Sequence, residues 1–180
     1  VRASLRTHAA SGEFVLLELD AKSLRAIDQW PWPRSVHARA LQALERAGAS
    51  TVAFDIDFSS RSRSEEDVQL AKALNKASVP VILPTFRQYA SQGSEKVVEI
   101  LPLPALRGHA QLAAVNILPD ADGLVRSYPY AIVTGGVPWP SIGAMLANAS
   151  GRAGESFPID TAIDPGTIPL PLEGVIALDA

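Results

Sequence analysis

Thr51-Val52-Ala53-Phe54-Asp55-Ile56-Asp57-Phe58-Ser59 is the stretch that decides the fold. Thr51–Ile56 is apolar except for Asp55 and Thr51, which predicts a buried strand. Upstream, Pro33 can open a helix as its first residue, where a missing N–H costs nothing. Val36, Ala40, Leu41, Leu44 and Ala47 then fall on one stripe, and Gly48 ends the helix after about Ala47. Downstream, Ser59–Ser64 reads as a polar loop, and Ser64-Glu65-Glu66-Asp67 as a capped helix start whose acids suit the positive end of the dipole. Leu70, Ala71, Leu74 and Ala77 give this second helix its apolar face, and Val79–Leu83 predicts another strand. At the N-terminal end, Phe14–Leu19 is a nearly continuous apolar run closed by Asp20, and Ala21–Asp28 reads as a short helix or turn. Strands alternating with helices through short links imply right-handed crossovers and a parallel sheet.

The second half reads differently. Thr85–Ala90 and Lys96–Ile100 flank Ser91-Gln92-Gly93-Ser94 and predict a hairpin. Leu112–Leu118 and Leu124–Val133 are strand-like and are separated by the turn chemistry of Pro119-Asp120-Ala121-Asp122-Gly123. Pro140–Ala149 suits a helix with Ile142, Met145, Leu146 and Ala149 on one side, and the chain is Pro- and Gly-rich after Gly151. The expected fold is α/β: a three-layer α/β/α domain with a mixed sheet, parallel in the N-terminal half and hairpin-rich in the second. We expect a single domain over 1–180, with its core at about 13–150 and a Pro/Gly-rich segment over 151–180.

Composition narrows the function. Hydrophobic residues make up 47% and charged residues 19%, an ordinary globular balance. The net charge of −3, without a basic block, gives nothing that steers the chain to nucleic acid or anionic lipid. The absence of cysteine excludes disulfides, thiolate metal sites and a thiol nucleophile. No apolar run approaches the roughly 18 residues of a spanning helix. Val1–Ala10 has no apolar stretch of signal-peptide type. Any membrane attachment is therefore expected outside this chain.

Several side chains are candidates for a site. Asp20, Asp55 and Asp57 sit at or just past the carboxyl ends of two expected strands, the edge where open α/β sheets bind ligands. They could hold a cation, an amine or a hydroxyl, or simply accept bonds from loop N–H groups. Trp30 and Trp32, in the stiff Trp30-Pro31-Trp32-Pro33-Arg34 segment, could stack on a ligand or bracket the domain with one indole packed inward. Arg34 could hold an anion or pair with an Asp of that edge. His37 shares a helix face with Arg34 and reads as structural or solvated; His8 and His109 are too distant to share a metal with it. Asp120-Ala121-Asp122-Gly123 resembles the start of a calcium loop but lacks the later acidic ligand, which favours a plain turn. Asp55-Ile56-Asp57-Phe58-Ser59 also fits the Asp-x-Asp-x-Ser/Thr pattern of haloacid-dehalogenase-type phosphatases, in which the first Asp attacks phosphorus beside magnesium. The late acidic pair such an enzyme needs is missing. No phosphate-binding glycine motif or nucleophile elbow is present, and no catalytic residue, metal or cofactor is expected.

Val15–Asp20, Ser23-Leu24, Trp30-Pro31-Trp32-Pro33-Arg34, His37-Ala38-Arg39, Ala47-Gly48-Ala49 and Phe54-Asp55-Ile56-Asp57-Phe58-Ser59 together closely resemble the opening of CHASE2 domains. Asp67, Leu70, Ala71, Ala73, Leu74, Val79–Pro84, Leu101-Pro102-Leu103-Pro104, Val115-Asn116, Asp120–Arg126 and Pro140-Ser141-Ile142 continue the resemblance in order. It implies an extracellular or periplasmic sensory module, tethered by transmembrane helices to an output such as a histidine kinase, a nucleotide or diguanylate cyclase, a phosphodiesterase or a Ser/Thr kinase. The family pattern continues with an aliphatic strand ending in Val-Gly and with a later His-Ala element. Neither follows Leu170, so the chain is expected to lack the family's last part. The site expected on this reading is Asp20, Asp55, Asp57 and Arg34 with Trp30 and Trp32, and Asn116 and Arg126 as further candidates. The partner would be a small solute or a periplasmic protein, with a homodimer possible; the rival reading is an interaction or dimerisation module that binds no small ligand.

Overall fold

The structure is a computed structural model and describes residues 8–9, 11–91, 93–134, 136–160, 163–164 and 170–171. In chain order the elements are β1 (His8–Ala9), β2 (Leu17–Glu18), α1 (Ala21–Ile27), α2 (Arg34–Arg46), β3 (Val52–Ala53), α3 (Ser64–Lys76), β4 (Val81–Tyr89), β5 (Val97–Ile100), α4 (Pro104–Arg107), β6 (Gln111–Ala114), β7 (Ser127–Pro129), β8 (Ala131–Thr134), β9 (Val137–Pro140), α5 (Ile142–Leu146), β10 (Ser156–Pro158), β11 (Ile163–Asp164) and β12 (Leu170–Pro171).

The parallel sheet is β3-β4-β6 with β4 at its centre: Val52 lies opposite Val81, and Ile82 to Thr85 lie opposite Gln111 to Ala114. Val81–Thr85 are all buried, as a central strand covered on both faces requires. On one face Val52, Phe54, Val81 and Leu83 meet Ala38 and Leu41 of α2, Leu70, Ala73 and Leu74 of α3, and Leu106. Strand alternation puts Ile82 and Ala113 on the other face, where they are buried as well. A single β-bridge from Ala114 to Ser141 extends the sheet towards the β8–β9 hairpin.

α2 and α3 lie side by side and are tied at both ends. At one end the Ser35 N–H donates to the Glu66 carboxylate at 2.7 Å. At the other, the backbone N–H and the hydroxyl of Ser78 donate to Glu45 at 2.6 and 2.8 Å. Pro33, at the N-cap of α2, has no capping side chain, so Glu66 supplies the cap from another element.

The mixed α/β class is as expected, with differences in the parts. The expected strand at Val79–Leu83 and the first arm of the hairpin are one continuous strand, β4, because its first half pairs with β3 and β6 and its second half with β5. The expected strand over Leu124–Val133 is broken at Tyr130 into β7 and β8, which pair with β10 and β9 respectively. Pro140 ends β9 rather than opening a helix, and α5 begins after Ser141, whose hydroxyl caps it. The apolar run Phe14–Leu19 yields only β2, which pairs with β12 and, among the described residues, not with the central sheet. Phe14, Val15 and Leu16 are 57, 67 and 70% exposed. An apolar run marks a segment that favours burial but does not name the strand it will pair with. Apart from Leu170–Pro171, the stretch in which the family's last elements were expected to be missing lies outside the described residues, as does most of Val1–Ala10.

Leu83 is fully buried at the centre of this core. Leu83→Ala is expected to lower unfolding free energy by about 2–5 kcal/mol. Val68→Ala, on the exposed side of α3, should stay within about 0.5 kcal/mol of wild type. Urea denaturation of both variants checks the assignment.

Candidate functional site

The carboxyl end of β3 is built around one buried cation. β3 has only two residues; the Phe54 N–H still donates to the Ile82 carbonyl of β4 at 2.9 Å, but the chain then leaves the sheet and the Asp57 and Ser60 carbonyls must find partners elsewhere. Arg34, at the first turn of α2, provides them. Its Nη2 donates to the Ser60 carbonyl at 3.1 Å and its Nη1 to the Asp57 carbonyl at 3.4 Å. Its Nε lies 3.8 Å from the Asp67 carboxylate of α3. The guanidinium carbon stands 4.5 Å above the Phe58 ring, a cation–π placement. Burial pulls the Arg34 pKa below its ordinary value; Asp67 and Asp57 act in the opposite sense. Asp67 is itself held by the backbone N–H and hydroxyl of Ser62.

The Trp-Pro segment divides its two indoles. The Trp30–Pro31 peptide is cis. Trp32 is buried against Val36, Ala40, Leu17, Leu19 and Ile27, whereas Trp30 is 64% exposed. Trp32 thus brackets α2, and Trp30 is free to meet a partner.

The three acids have distinct places. Asp57 is exposed, and its carboxylate accepts the Ser59 N–H at 2.7 Å, which closes the turn whose carbonyls Arg34 holds. Asp55 is exposed beside Tyr128, whose hydroxyl pKa is raised by burial first and by the charge of Asp55 second. Asp20 caps α1 by accepting the Ser23 N–H at 2.7 Å, and this bond lowers its pKa. The sheet brings Asp55 and Asp57 to one edge, with Arg34 behind them. No described pairing sets β2 beside β3, so the sheet does not carry Asp20 there.

Asn116 and Arg126 lie in networks of their own. The Asn116 amide accepts from the Arg87 N–H at 2.8 Å and donates to the Arg87 carbonyl at 2.9 Å, so it prolongs the β4–β6 ladder as a backbone would. Arg126 clamps the turn at residues 119–123 through Asp120 and Asp122, at 2.8 and 2.6 Å. These bonds raise its pKa and lower that of Asp122. The turn is therefore crossed by its own cation. Among the described residues no group of three or more His, Asp or Glu side chains has the arrangement of a metal site. A concavity at the tip of the β4–β5 hairpin is lined by Tyr89, Ser91, Gly93, Ser94, Glu95 and Val97 and includes none of the candidates. It lies on an exposed turn.

Sequence reasoning missed two features. Glu66 caps α2 across 31 positions of sequence, and only the unusual Pro33 start hinted at a cap from outside. Gly151 packs directly under Tyr130, where a Cβ would collide with the ring. Tyr130 in turn packs on Phe157, with ring centroids 5.0 Å apart. A glycine in a Gly-rich stretch gives no such hint.

Removing Arg34 would leave two loop carbonyls and Asp67 without their partner. Arg34→Ala is expected to lower stability by about 2–4 kcal/mol. Arg34→Lys should recover less than half of that, because an ammonium cannot reproduce the fork. Urea denaturation, read with the same slope for all three proteins, tests this.

A family model described as the CHASE2 domain matches residues 1–178. No curated protein and no solved structure matches the chain. CHASE2 is an extracellular sensory family found in signalling proteins, and it is not catalytic. No helix among the described residues is long and apolar enough to cross a membrane. With the match spanning nearly its whole length, the chain belongs to the CHASE2 domain family.

Proposed function

We propose that this chain is the signal-input domain of a membrane-anchored bacterial signalling protein, and that the strand-end edge at Asp55 and Asp57 receives its ligand. The observation that carries the reading is the state of that edge: two exposed carboxylates stand on a loop whose backbone is fastened from behind by a buried arginine. Arg34 is engaged with carbonyls, Asp67 and Phe58, so the edge offers acceptors to the solvent. The ligand class that fits is a cation, or a solute carrying an amine or hydroxyls. Asp20 and the exposed Trp30 are the further residues a larger solute would meet. Asn116 and Arg126 would act by shaping the fold. Binding one arrangement of the loop better than another would shift its population, and α2 and α3 would carry the change to the rest of the molecule. Anchoring helices outside this chain, and an output such as a kinase or cyclase, complete the proposal. The Asp55–Asp57 match to phosphatases is absorbed by this reading, in which both carboxylates bind rather than react.

A second reading is favoured by a specific observation. Phe14, Val15 and Leu16 form a consecutive exposed apolar strip, and Trp30 is exposed as well. A strip of this kind fits an interaction or dimerisation module with no small ligand.

Thermal unfolding of wild type, Asp55→Asn and Asp57→Asn, screened against amino acids, amines, sugars and divalent cations, separates the two. A ligand at 100 times its Kd should add about 2.7 kcal/mol to wild-type stability. The strand-end reading expects that gain to vanish in both variants. A ligand that stabilises all three proteins equally places the site elsewhere. The absence of any stabilising solute, combined with a concentration-dependent dimer broken by Leu16→Glu, supports the second reading.

A further inference from the structure

His37 is one turn of α2 beyond Arg34, yet it is only 2% exposed. Its ring sits in an aromatic box: Phe58 at 5.4 Å and Phe54 at 6.3 Å meet it edge to face, and Trp32 lies at 6.1 Å. Phe54 and Phe58 also contact each other at 5.7 Å. His37 Nδ1 and Trp32 Nε1 have no hydrogen-bond partner among the described residues. Charged groups on the surrounding elements are Arg34 on α2, Asp55 and Asp57 beside the two phenylalanines, and Glu66 and Asp67 on α3. Asp57 and Asp67 face Arg34, Glu66 is occupied by Ser35, and the charge that bears on His37 is that of Arg34, a like charge. Neutral imidazole fits this box as an aromatic ring. Imidazolium would be a second cation in an apolar enclosure with no carboxylate to receive it.

Phe58 links the box to the edge of the site. One face carries the Arg34 guanidinium and the ring meets His37, while the Phe58 carbonyl accepts the Leu103 N–H at 3.0 Å at the start of α4. Expelling the His37 ring would therefore unseat Phe58 and, with it, the Asp57 and Ser60 carbonyls that Arg34 holds.

We propose that the His37 box is a proton-operated latch: protonation of His37 drives its ring out from between Trp32, Phe54 and Phe58 and releases the loop 57–60 at the ligand edge, so that acidification is itself a signal to this domain. The use of the latch as a signal rests on the sensory reading above; the latch is a property of the folded chain and stands or falls separately.

Burial first, and Arg34 second, bring the pKa of closed His37 from 6.5 to about 4. In an opened arrangement the imidazole regains its ordinary value. Above pH 6.5 neither arrangement holds the proton, and the closed one keeps its full advantage. Between 6.5 and about 4 only the opened arrangement binds it, so the closed form loses ground as pH falls. At pH 5 the opened arrangement should have gained about thirtyfold relative to pH 7.5.

The test is an NMR titration of this chain from pH 7.5 to 4.5. It follows the amides of Asp57–Ser60 and of Val81–Thr85 and the ring nitrogens of His37, in wild type and in His37→Phe. The latch expects the loop amides to shift or broaden below pH 6.5 while the β4 amides hold, and expects His37→Phe to abolish the response. The same loop response in His37→Phe would assign it to carboxylates and overturn the latch. A loop and β4 that respond together would show plain unfolding and overturn it too. If His37→Phe does not fold, the wild-type ring nitrogens decide. Titration near 6.5 with no loop change overturns the proposal; protonation that coincides with the loop change upholds it. None of these outcomes depends on whether Asp55 and Asp57 bind a solute.

Discussion

A guanidinium inside the protein holds the strand-end edge together. The chain after β3 leaves the sheet once Phe54 has donated to Ile82, and Arg34 rather than a strand meets the Asp57 and Ser60 carbonyls. A carbonyl withdrawn from water without a donor is costly, and Arg34 donates to two part-buried ones at once. Its own burial is unfavourable, and it stands at the N-terminus of α2, where the helix dipole already favours negative charge. The first turn of α3 resolves both problems. Asp67 approaches the guanidinium, and Glu66 accepts the Ser35 N–H that Pro33 could not cap. Two helix N-termini thus converge on one edge and share a pair of acids, and that arrangement fixes how α2 and α3 lie against the sheet.

That convergence explains why the exposed acids of the edge differ from the half-buried ones in role. Glu66 and Asp67 are held by backbone N–H groups, a hydroxyl and Arg34, and the Ser35 bond lowers the pKa of Glu66. Asp55 and Asp57, on the same loop, are exposed to solvent. The positive ends of the helices and the arginine are therefore balanced from within, and the surface presents carboxylates. An anion would meet those carboxylates before it met Arg34.

Much of this was legible in the chain itself. The stripe Val36, Ala40, Leu41 and Leu44 and the acids of Ser64–Asp67 placed α2 and α3 within a residue or two, because helical period and first-turn charge are local signals. The Trp-Pro-Trp-Pro-Arg element and the strand before Asp55 carried the family resemblance, and the family model spans 1–178. What local signals could not carry was pairing. Phe14–Leu19 reads like the strand Thr51–Ile56, but only two residues of each enter a ladder, and those of β2 pair with β12. Asn116 and Arg126 are candidates because polar side chains near strand ends can meet a ligand. Their partners, the Arg87 backbone and Asp120 with Asp122, become visible only once the chain is folded.

The same limit applies to His37, where the folded context changes its meaning most. On a helical wheel it shares a face with Arg34 and reads as structural or solvated. In the fold that shared face is the inside, so a cation and a titratable ring lie one turn apart under a common phenylalanine. A core needing only volume at position 37 would be served by leucine or phenylalanine, which leave no buried nitrogen unpaired. Imidazole at that point makes the packing of Phe58 depend on proton activity. Through Phe58 the hold of Arg34 on the loop carbonyls depends on it as well. The stability of the edge and its responsiveness thus share one ring contact, and a change that strengthens the first by removing the buried nitrogen should also remove the second.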